Sequence, residues 1–374
     1  MELNFYMPTK VIMGKDCICG NAALIKETGS RAMLVTGAHS AKNNGSLKDV
    51  TDTLDEAGLS YVIYDKVMSN PTIECVYRGA ELAKQNQVDM IIGIGGGSPM
   101  DAAKAIALLA VQEVSEEELF AGKYKRQALP LIMVPTTAGT GSEVTPYSIL
   151  TNDKAQTKTS VADPVLFPRI SFLDAAYMKD MPYITTVNTA LDALSHAVEG
   201  MLSVRASQVT DAIAQESIQN IAEGLADLNN PEYRNRCGFL PAATREKLLY
   251  GSMLAGIVIA HTGTTAVHSM GYSLTYFKNI DHGRANALLL PSFLRYADQG
   301  DSKTVQKILS AMKLDTLEEF ENLFQVLLGD REQLNEDEII QYSGIAIQAK
   351  NIQNSRIIPT REDLIGLYSR SLKA

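Results

Sequence analysis

The sequence predicts two successive architectures, an α/β half built on a parallel sheet and then an all-helical half. Between residues 32 and 134 short apolar runs of β type alternate with helical stretches, the pattern of a parallel sheet covered by helices. After Met181-Pro182 almost every long segment reads as helix. At 374 residues the chain also exceeds one typical core and suits two domains. The boundary is placed near residue 182, giving domains 1–182 and 183–374.

The elements follow in order. A β-prone start, Phe5 to Met13, is expected to pair with a neighbouring strand or with a second subunit. Strands are expected at 32–36, 61–64, 90–94 and 131–134, with helices at 47–57, 73–85 and 99–110 between them. Residues 148–173 read as mostly extended, with prolines at 164 and 168. The second half predicts helices at 186–202, 208–228, 244–260, 266–277, 288–296, 302–312, 318–328, 336–350 and 361–372.

Composition narrows the function classes. With 45% hydrophobic and 21% charged residues the chain is ordinary for a globular protein, and no apolar run approaches a membrane span. Its start, Met1-Glu2-Leu3-Asn4-Phe5, lacks the basic and apolar stretches of a secretory signal, so a cytoplasmic location is expected. A net charge of −9 argues against nucleic acid as a partner. Cys17, Cys19, Cys75 and Cys237 have no paired Cys-x-x-Cys spacing, which argues against a zinc ribbon or disulfide framework, and Cys17 and Cys19 are expected to be free thiols.

Ile91-Ile92-Gly93-Ile94-Gly95-Gly96-Gly97-Ser98-Pro99 is a strand running into glycines and then a helix start. Glycines let backbone approach a phosphate closely, and the N–H groups and positive end of the helix stabilise it. Asp101 and Lys104 lie on that helix's first turns. The spacing is neither Walker type nor Gly-x-Gly-x-x-Gly, so an ordinary Rossmann domain is not required. A second small-residue turn, Pro135-Thr136-Thr137-Ala138-Gly139-Thr140-Gly141-Ser142-Glu143, follows the next strand. Ligands of open parallel sheets sit beyond the carboxyl ends of the strands, so the two turns are placed to face one elongated ligand. Each turn taken alone is also compatible with a plain connection.

In the second half, Asp192 and His196 fall one helical turn apart on one face. Such a pair can hold a divalent cation or simply sit on a helix surface. Of only five histidines, His261, His268 and His282 cluster in one later segment, with His282 expected in a loop between two helices. Asp192, His196, His268 and His282 would supply one oxygen and three nitrogens, suited to Fe(II) or Zn(II) and too nitrogen-rich for Mg(II) or Ca(II). Tyr272, one turn after His268, can border such a site or serve as a packing aromatic, and His261, two turns before it, is read as a helix-surface residue in preference to a second bordering group.

These motifs are similar to those of the iron-containing (group III) alcohol dehydrogenases. The match is carried by Gly95-Gly96-Gly97-Ser98 with Asp101 and Lys104, the loop from Pro135 to Glu143, Asp192-Ala193-Leu194-Ser195-His196-Ala197, and Asp281-His282-Gly283. The resemblance implies a dehydroquinate synthase-like architecture, in which an N-terminal dinucleotide-binding α/β domain and a C-terminal helical domain flank a cleft. It implies a divalent metal, Fe(II) or Zn(II), on Asp192, His196, His268 and His282, and hydride transfer between nicotinamide and a small alcohol or aldehyde held by that metal. It places the cofactor at Gly95, Gly96, Gly97, Ser98 and Asp101, at Thr136, Thr137, Thr140 and Thr145, and at Lys158. A homodimer through the β-prone start is expected.

Two departures from the family pattern matter. Many members carry an aspartate after the first long strand, where it accepts from the adenosine ribose; here Gly37 stands, flanked by His39, Ser40 and Lys42. An aspartate would repel a 2′-phosphate, so NADP is expected over NAD. Many relatives also have a histidine four residues after the third metal ligand, where this chain has Tyr272. Two rivals are a dehydroquinate-synthase-like lyase and a non-catalytic, metal-stabilised nucleotide-binding protein. The lyase needs many cations for a phosphorylated substrate, and residues 248–290 hold only Lys278 and Arg284.

Overall fold

A computed structural model describes residues 3–234 and 240–373, so Cys237 lies outside the described residues. Cys17, Cys19 and Cys75 are free thiols. The strands are β1 (Lys10–Met13), β2 (Arg31–Gly37), β3 (Ser60–Val67), β4 (Met90–Gly95), β5 (Leu131–Pro135), β6 (Tyr147–Asn152), β7 (Thr157–Ala162) and β8 (Ile170–Leu173). Six form one parallel sheet in the order β1-β8-β5-β4-β2-β3, and β6 and β7 make a separate antiparallel hairpin.

Period-two alternation builds a core on each face of this sheet. Met33, Val35, Ile91 and Met133 join one apolar cluster, while Ala32, Leu34, Ile92, Ile94, Ile132 and Val134 join the other. Every residue of β4 and β5 is buried, as expected for central parallel strands covered on both sides. The connection from β2 to β3 runs one way along the sheet and that from β3 to β4 brings the chain to the other side of β2. The strand ends at Gly37 and Gly95 therefore flank a topological switch point, the usual ligand position in such sheets.

The chain forms two compact units. One comprises Met7–Thr137 and Ser142–Asp180; the other comprises Met181–Ala374 together with Met1–Tyr6 and Ala138–Gly141. In the helical unit, the Tyr183–Met201 helix is buried at every position from Ala190 to Met201, the behaviour of a helix enclosed by others. No helix among the described residues is long and apolar enough to cross a membrane.

Four expectations are corrected. The β-prone start is a strand only over Lys10–Met13, where it pairs with β8; Phe5 instead stacks on His261 at 4.1 Å between ring centroids, and Tyr6 N–H donates to His261 Nε2 at 3.0 Å. His282 opens a helix, His282–Ala311, where a loop was expected, because the Asp281 side chain accepts from Gly283 N–H and Arg284 N–H and caps it. The two helices expected at 288–296 and 302–312 are one element with non-helical backbone at Asp301. The helix expected at 336–350 ends at Ala346.

Candidate active site

The glycine turn is built by close approach. Gly95 has φ +143°, and a β-carbon there would lie 2.8 Å from Pro99 Cγ. Gly96 stands at the N-cap of the Gly97–Leu109 helix and has no side chain to cap it. Thr136 N–H donates to the Gly95 carbonyl at 2.9 Å, and a β-carbon at Gly96 would lie 3.2 Å from Thr137 Oγ1. The two turns are therefore side by side at the ends of β4 and β5. Ser98 Oγ accepts from Asn70 N–H at 3.2 Å.

Asp101 and Lys104 serve the framework of this unit. Asp101 Oδ1 accepts from Ser142 Oγ at 2.6 Å and Oδ2 from Ile149 N–H at 3.2 Å. The wholly buried Lys104 Nζ donates to the Ser142 carbonyl, Ser142 Oγ, the Tyr147 carbonyl and Thr145 Oγ1 at 2.6–3.3 Å. Thr145 is consequently buried, as is Thr136. Burial pushes the Asp101 carboxyl up, brings the Lys104 ammonium down to about 8 and raises the neighbouring Glu143 carboxyl to about 7. Lys158 lies on β7, paired with Thr151.

Gly37 ends β2 and pairs with Val67 of β3. His39 and Ser40 begin the short helix that follows. Lys42 Nζ is 2.7 Å from Asp65 Oδ2, and Lys66 Nζ is 3.6 Å from Asp65 Oδ1. The carboxylate at this sheet corner thus comes from β3 and is flanked by two cations.

In the helical unit, Asp192, His196 and His268, all buried, bring one ligand atom each to within 4.8 Å of the others. His282 Nε2 is 4.0 Å from Asp192 Oδ1, and its ring centroid is 5.3 Å from that of His268. The four sequence-predicted ligands are therefore brought together, from three helices. Burial pushes the Asp192 carboxyl up, but the three imidazoles and the Asn286 amide outweigh it and hold the group below its usual range. Burial brings His196 down to about 4, so it presents a neutral lone pair.

Two further residues complete this cluster. Glu199, fully buried, accepts at Oε2 from His268 Nδ1 and at Oε1 from Thr265 N–H, Thr265 Oγ1 and Val267 N–H. Asn286 Nδ2 lies 2.9 Å from Asp192 Oδ1, 3.0 Å from His268 Nε2 and 3.3 Å from His282 Nε2. Both were missed in the sequence, although Glu199 was signalled by its place three residues after His196 in an otherwise apolar stretch.

Tyr272 borders the cluster, its ring stacked on His282 at 5.6 Å and edge-on to His268 at 6.4 Å. His261 does not, since Ile257 O and Tyr6 N occupy its two ring nitrogens. Lys278 and Arg284 are paired with Glu338 and Glu332.

Fold and site together define a metal-dependent, nucleotide-using oxidoreductase of the two-domain α/β–helical class. The iron-containing alcohol dehydrogenase model matches residues 8–175, and the C-terminal model of the Fe-containing alcohol dehydrogenase family matches 186–372. The chain is 33% identical over 299 residues to the lactaldehyde reductase of Escherichia coli K12, covering 78% of this chain and 76% of that one. It is 32% identical over 317 residues to an NADPH-dependent butanol dehydrogenase of Clostridium saccharobutylicum, covering 83% and 78%. The crystal structure of an iron-containing alcohol dehydrogenase from Thermotoga maritima superposes with a TM-score of 0.89 at 36% identity over 99% of each chain. The chain belongs to the iron-containing alcohol dehydrogenase family, whose members use a divalent metal and NAD(P) to oxidise or reduce at CH–OH carbon.

Proposed function

We propose that this protein reduces small aldehydes with NADPH in the cytoplasm, using Fe(II) or Zn(II) held by Asp192, His196, His268 and His282. The observation that carries the metal reading is the convergence of a buried carboxylate oxygen and two imidazole nitrogens on the single amide nitrogen of Asn286. One amide has two N–H groups for three acceptors, so the donor set fits an electropositive centre better than it fits the amide. Oxygen with imidazole nitrogen suits a first-row divalent ion. Such an ion supplies Lewis-acid polarisation of a carbonyl or hydroxyl oxygen, and nicotinamide supplies or accepts the hydride.

The chain's own residues do the rest. The Gly95-Gly96-Gly97-Ser98 turn and the uncapped helix after it receive the pyrophosphate, with Thr136, Thr137, Thr140 and Lys158 contributing further contacts. Asp101 and Thr145 act through Lys104 and Ser142, which hold the second loop in register with the first. NADP is favoured because Gly37 contributes no carboxylate, while Lys42 and Lys66 outnumber Asp65 at that corner. A homodimer is supported by β1, which among the described residues pairs within the sheet only with β8 and carries the exposed Met13.

The test is NADPH oxidation with a panel of short aldehydes, on metal-stripped protein reloaded with Fe(II) or Zn(II), beside the Asp192→Ala, His268→Ala double variant. Metal-dependent turnover, lost in the variant and faster with NADPH than NADH, is the expected result. Equal use of NADH overturns the nucleotide preference alone. Full turnover in the double variant overturns the ligand assignment.

A further inference from the structure

We infer that Glu199 is a positioning residue that fixes which nitrogen of His268 faces the metal. The inference rests on the metal reading above and adds to it a residue outside the four ligands.

An imidazole can ligate a cation only through a nitrogen that carries no proton, and in neutral histidine the proton can sit on either one. At His268 the two nitrogens have different neighbours. Nδ1 faces the Oε2 of Glu199 in a short contact, and an ionised carboxylate only accepts. Nε2 faces the Asn286 amide nitrogen at 3.0 Å, which only donates. Both neighbours therefore select the tautomer with hydrogen on Nδ1 and the lone pair on Nε2, directed toward Asp192 Oδ1, 3.8 Å away.

Glu199 is itself held rigidly. It is fully buried in the Tyr183–Met201 helix that also carries Asp192 and His196. Its Oε1 accepts from Thr265 N–H at 2.8 Å, Thr265 Oγ1 at 2.6 Å and Val267 N–H at 3.1 Å, the first N–H groups of the Ala266–Lys278 helix. That helix has no side-chain cap of its own, so Glu199 serves as one from a neighbouring helix. One carboxylate thus joins the helix bearing two ligands to the helix bearing the third and orients that third ligand. Carboxylates in this outer position typically contribute 10–100-fold in metal affinity.

The decisive variant is Glu199→Gln, which keeps shape and can keep an oxygen toward Thr265. Its amide presents N–H to Nδ1, which favours the opposite tautomer and turns a protonated Nε2 toward the metal. Zn(II) affinity, measured by competition with a chromophoric chelator on the full-length metal-free chain, is expected to fall about 10–100-fold, with circular dichroism unchanged. A second measurement needs no variant at Glu199: ring ¹⁵N NMR of metal-free wild type, with His268 assigned by loss of its signals in His268→Ala, is expected to show hydrogen on Nδ1. Unchanged affinity in folded Glu199→Gln, or hydrogen on Nε2 in wild type, overturns the inference. Failure of wild type to bind Zn(II), or undiminished binding after Asp192→Ala, overturns the metal reading instead, and the two failures are therefore distinct.

Discussion

Asn286 Nδ2 and Asp192 Oδ1 are 2.9 Å apart across two helices, and the same amide nitrogen reaches His268 and His282. In metal-free protein this amide lies within hydrogen-bond distance of three acceptors, two of them buried and that of His282 partly so. Removing it takes one donor away from them, at a cost of about 1–3 kcal/mol. A bound cation would satisfy the same lone pairs. Asn286→Ala is therefore expected to lower the melting temperature of metal-free protein more than that of metal-loaded protein. Thermal unfolding with and without saturating Zn(II) checks this, and equal losses in the two states would contradict it.

Gly283 lets the helix that starts at His282 approach the helix that carries Asp192. A β-carbon at Gly283 would overlap the Asn188 carbonyl oxygen and stand 3.0 Å from Asp192 Cβ. Backbone cannot yield as a flexible side chain does, so Gly283→Ala must push the two helices apart. The expected cost is about 1–3 kcal/mol in stability, with Zn(II) affinity reduced at least tenfold because His282 moves with its helix. A variant with wild-type melting and wild-type metal titration would show that the approach is not needed.

What the sequence revealed follows from which signals are local. The alternation of apolar runs from residue 32 to 134 reflects strands buried on both faces, and β2 and β4 appear within a residue or two of their expected limits. The proximity of His196 to Asp192 needed only helical spacing. That His282 opens a helix was obscured by Pro291 inside it and by the polar residues before Ala287, although Asp281 as a cap was the available signal. Asn286 became meaningful only once His282 was helical, four residues before it. The partners of Lys104 lie about forty residues away, between Ser142 and the first residue of β6, and no periodicity encodes them. The pairing of Lys42 with Asp65 likewise depends on strand register.

Glu143 carries a buried charge that the fold tolerates poorly. Its Oε1 has no hydrogen-bond partner, and burial, opposed only weakly by its own backbone N–H and by Lys104, raises the carboxyl from 4.5 to about 7. A carboxyl raised on folding contributes stability below pH 4.5 that is lost as pH rises through 7, because the folded state binds the proton that the unfolded state releases. Glu143→Gln removes this penalty. The variant is expected to exceed wild type in stability by up to about 3 kcal/mol at pH 8 and to match it near pH 4.5. Urea unfolding at the two pH values checks this, and a difference that does not vary with pH would refute the assignment.

The proposed preference for NADPH rests on Gly37 and its neighbours. Lys42 and Lys66 flank Asp65 at the corner where β2 and β3 end, so that corner carries two cations for one carboxylate. An aspartate at position 37 would bring the charges into balance and place a second carboxylate where a 2′-phosphate is expected. It would also supply an acceptor for the ribose hydroxyls of NAD. A β-carbon at Gly37 has room, its nearest neighbour being the Val67 carbonyl oxygen at 3.4 Å, so the substitution tests charge more than packing. Gly37→Asp is expected to lower kcat/KM for NADPH at least tenfold, about 1.4 kcal/mol or more in transition-state binding, while leaving or raising that for NADH. Lys42→Ala should weaken NADPH use by a smaller factor, because its ammonium is already shared with Asp65. Steady-state kinetics with both nucleotides at fixed aldehyde concentration decides the matter: parallel losses with NADPH and NADH would mean that this corner does not read the 2′-phosphate.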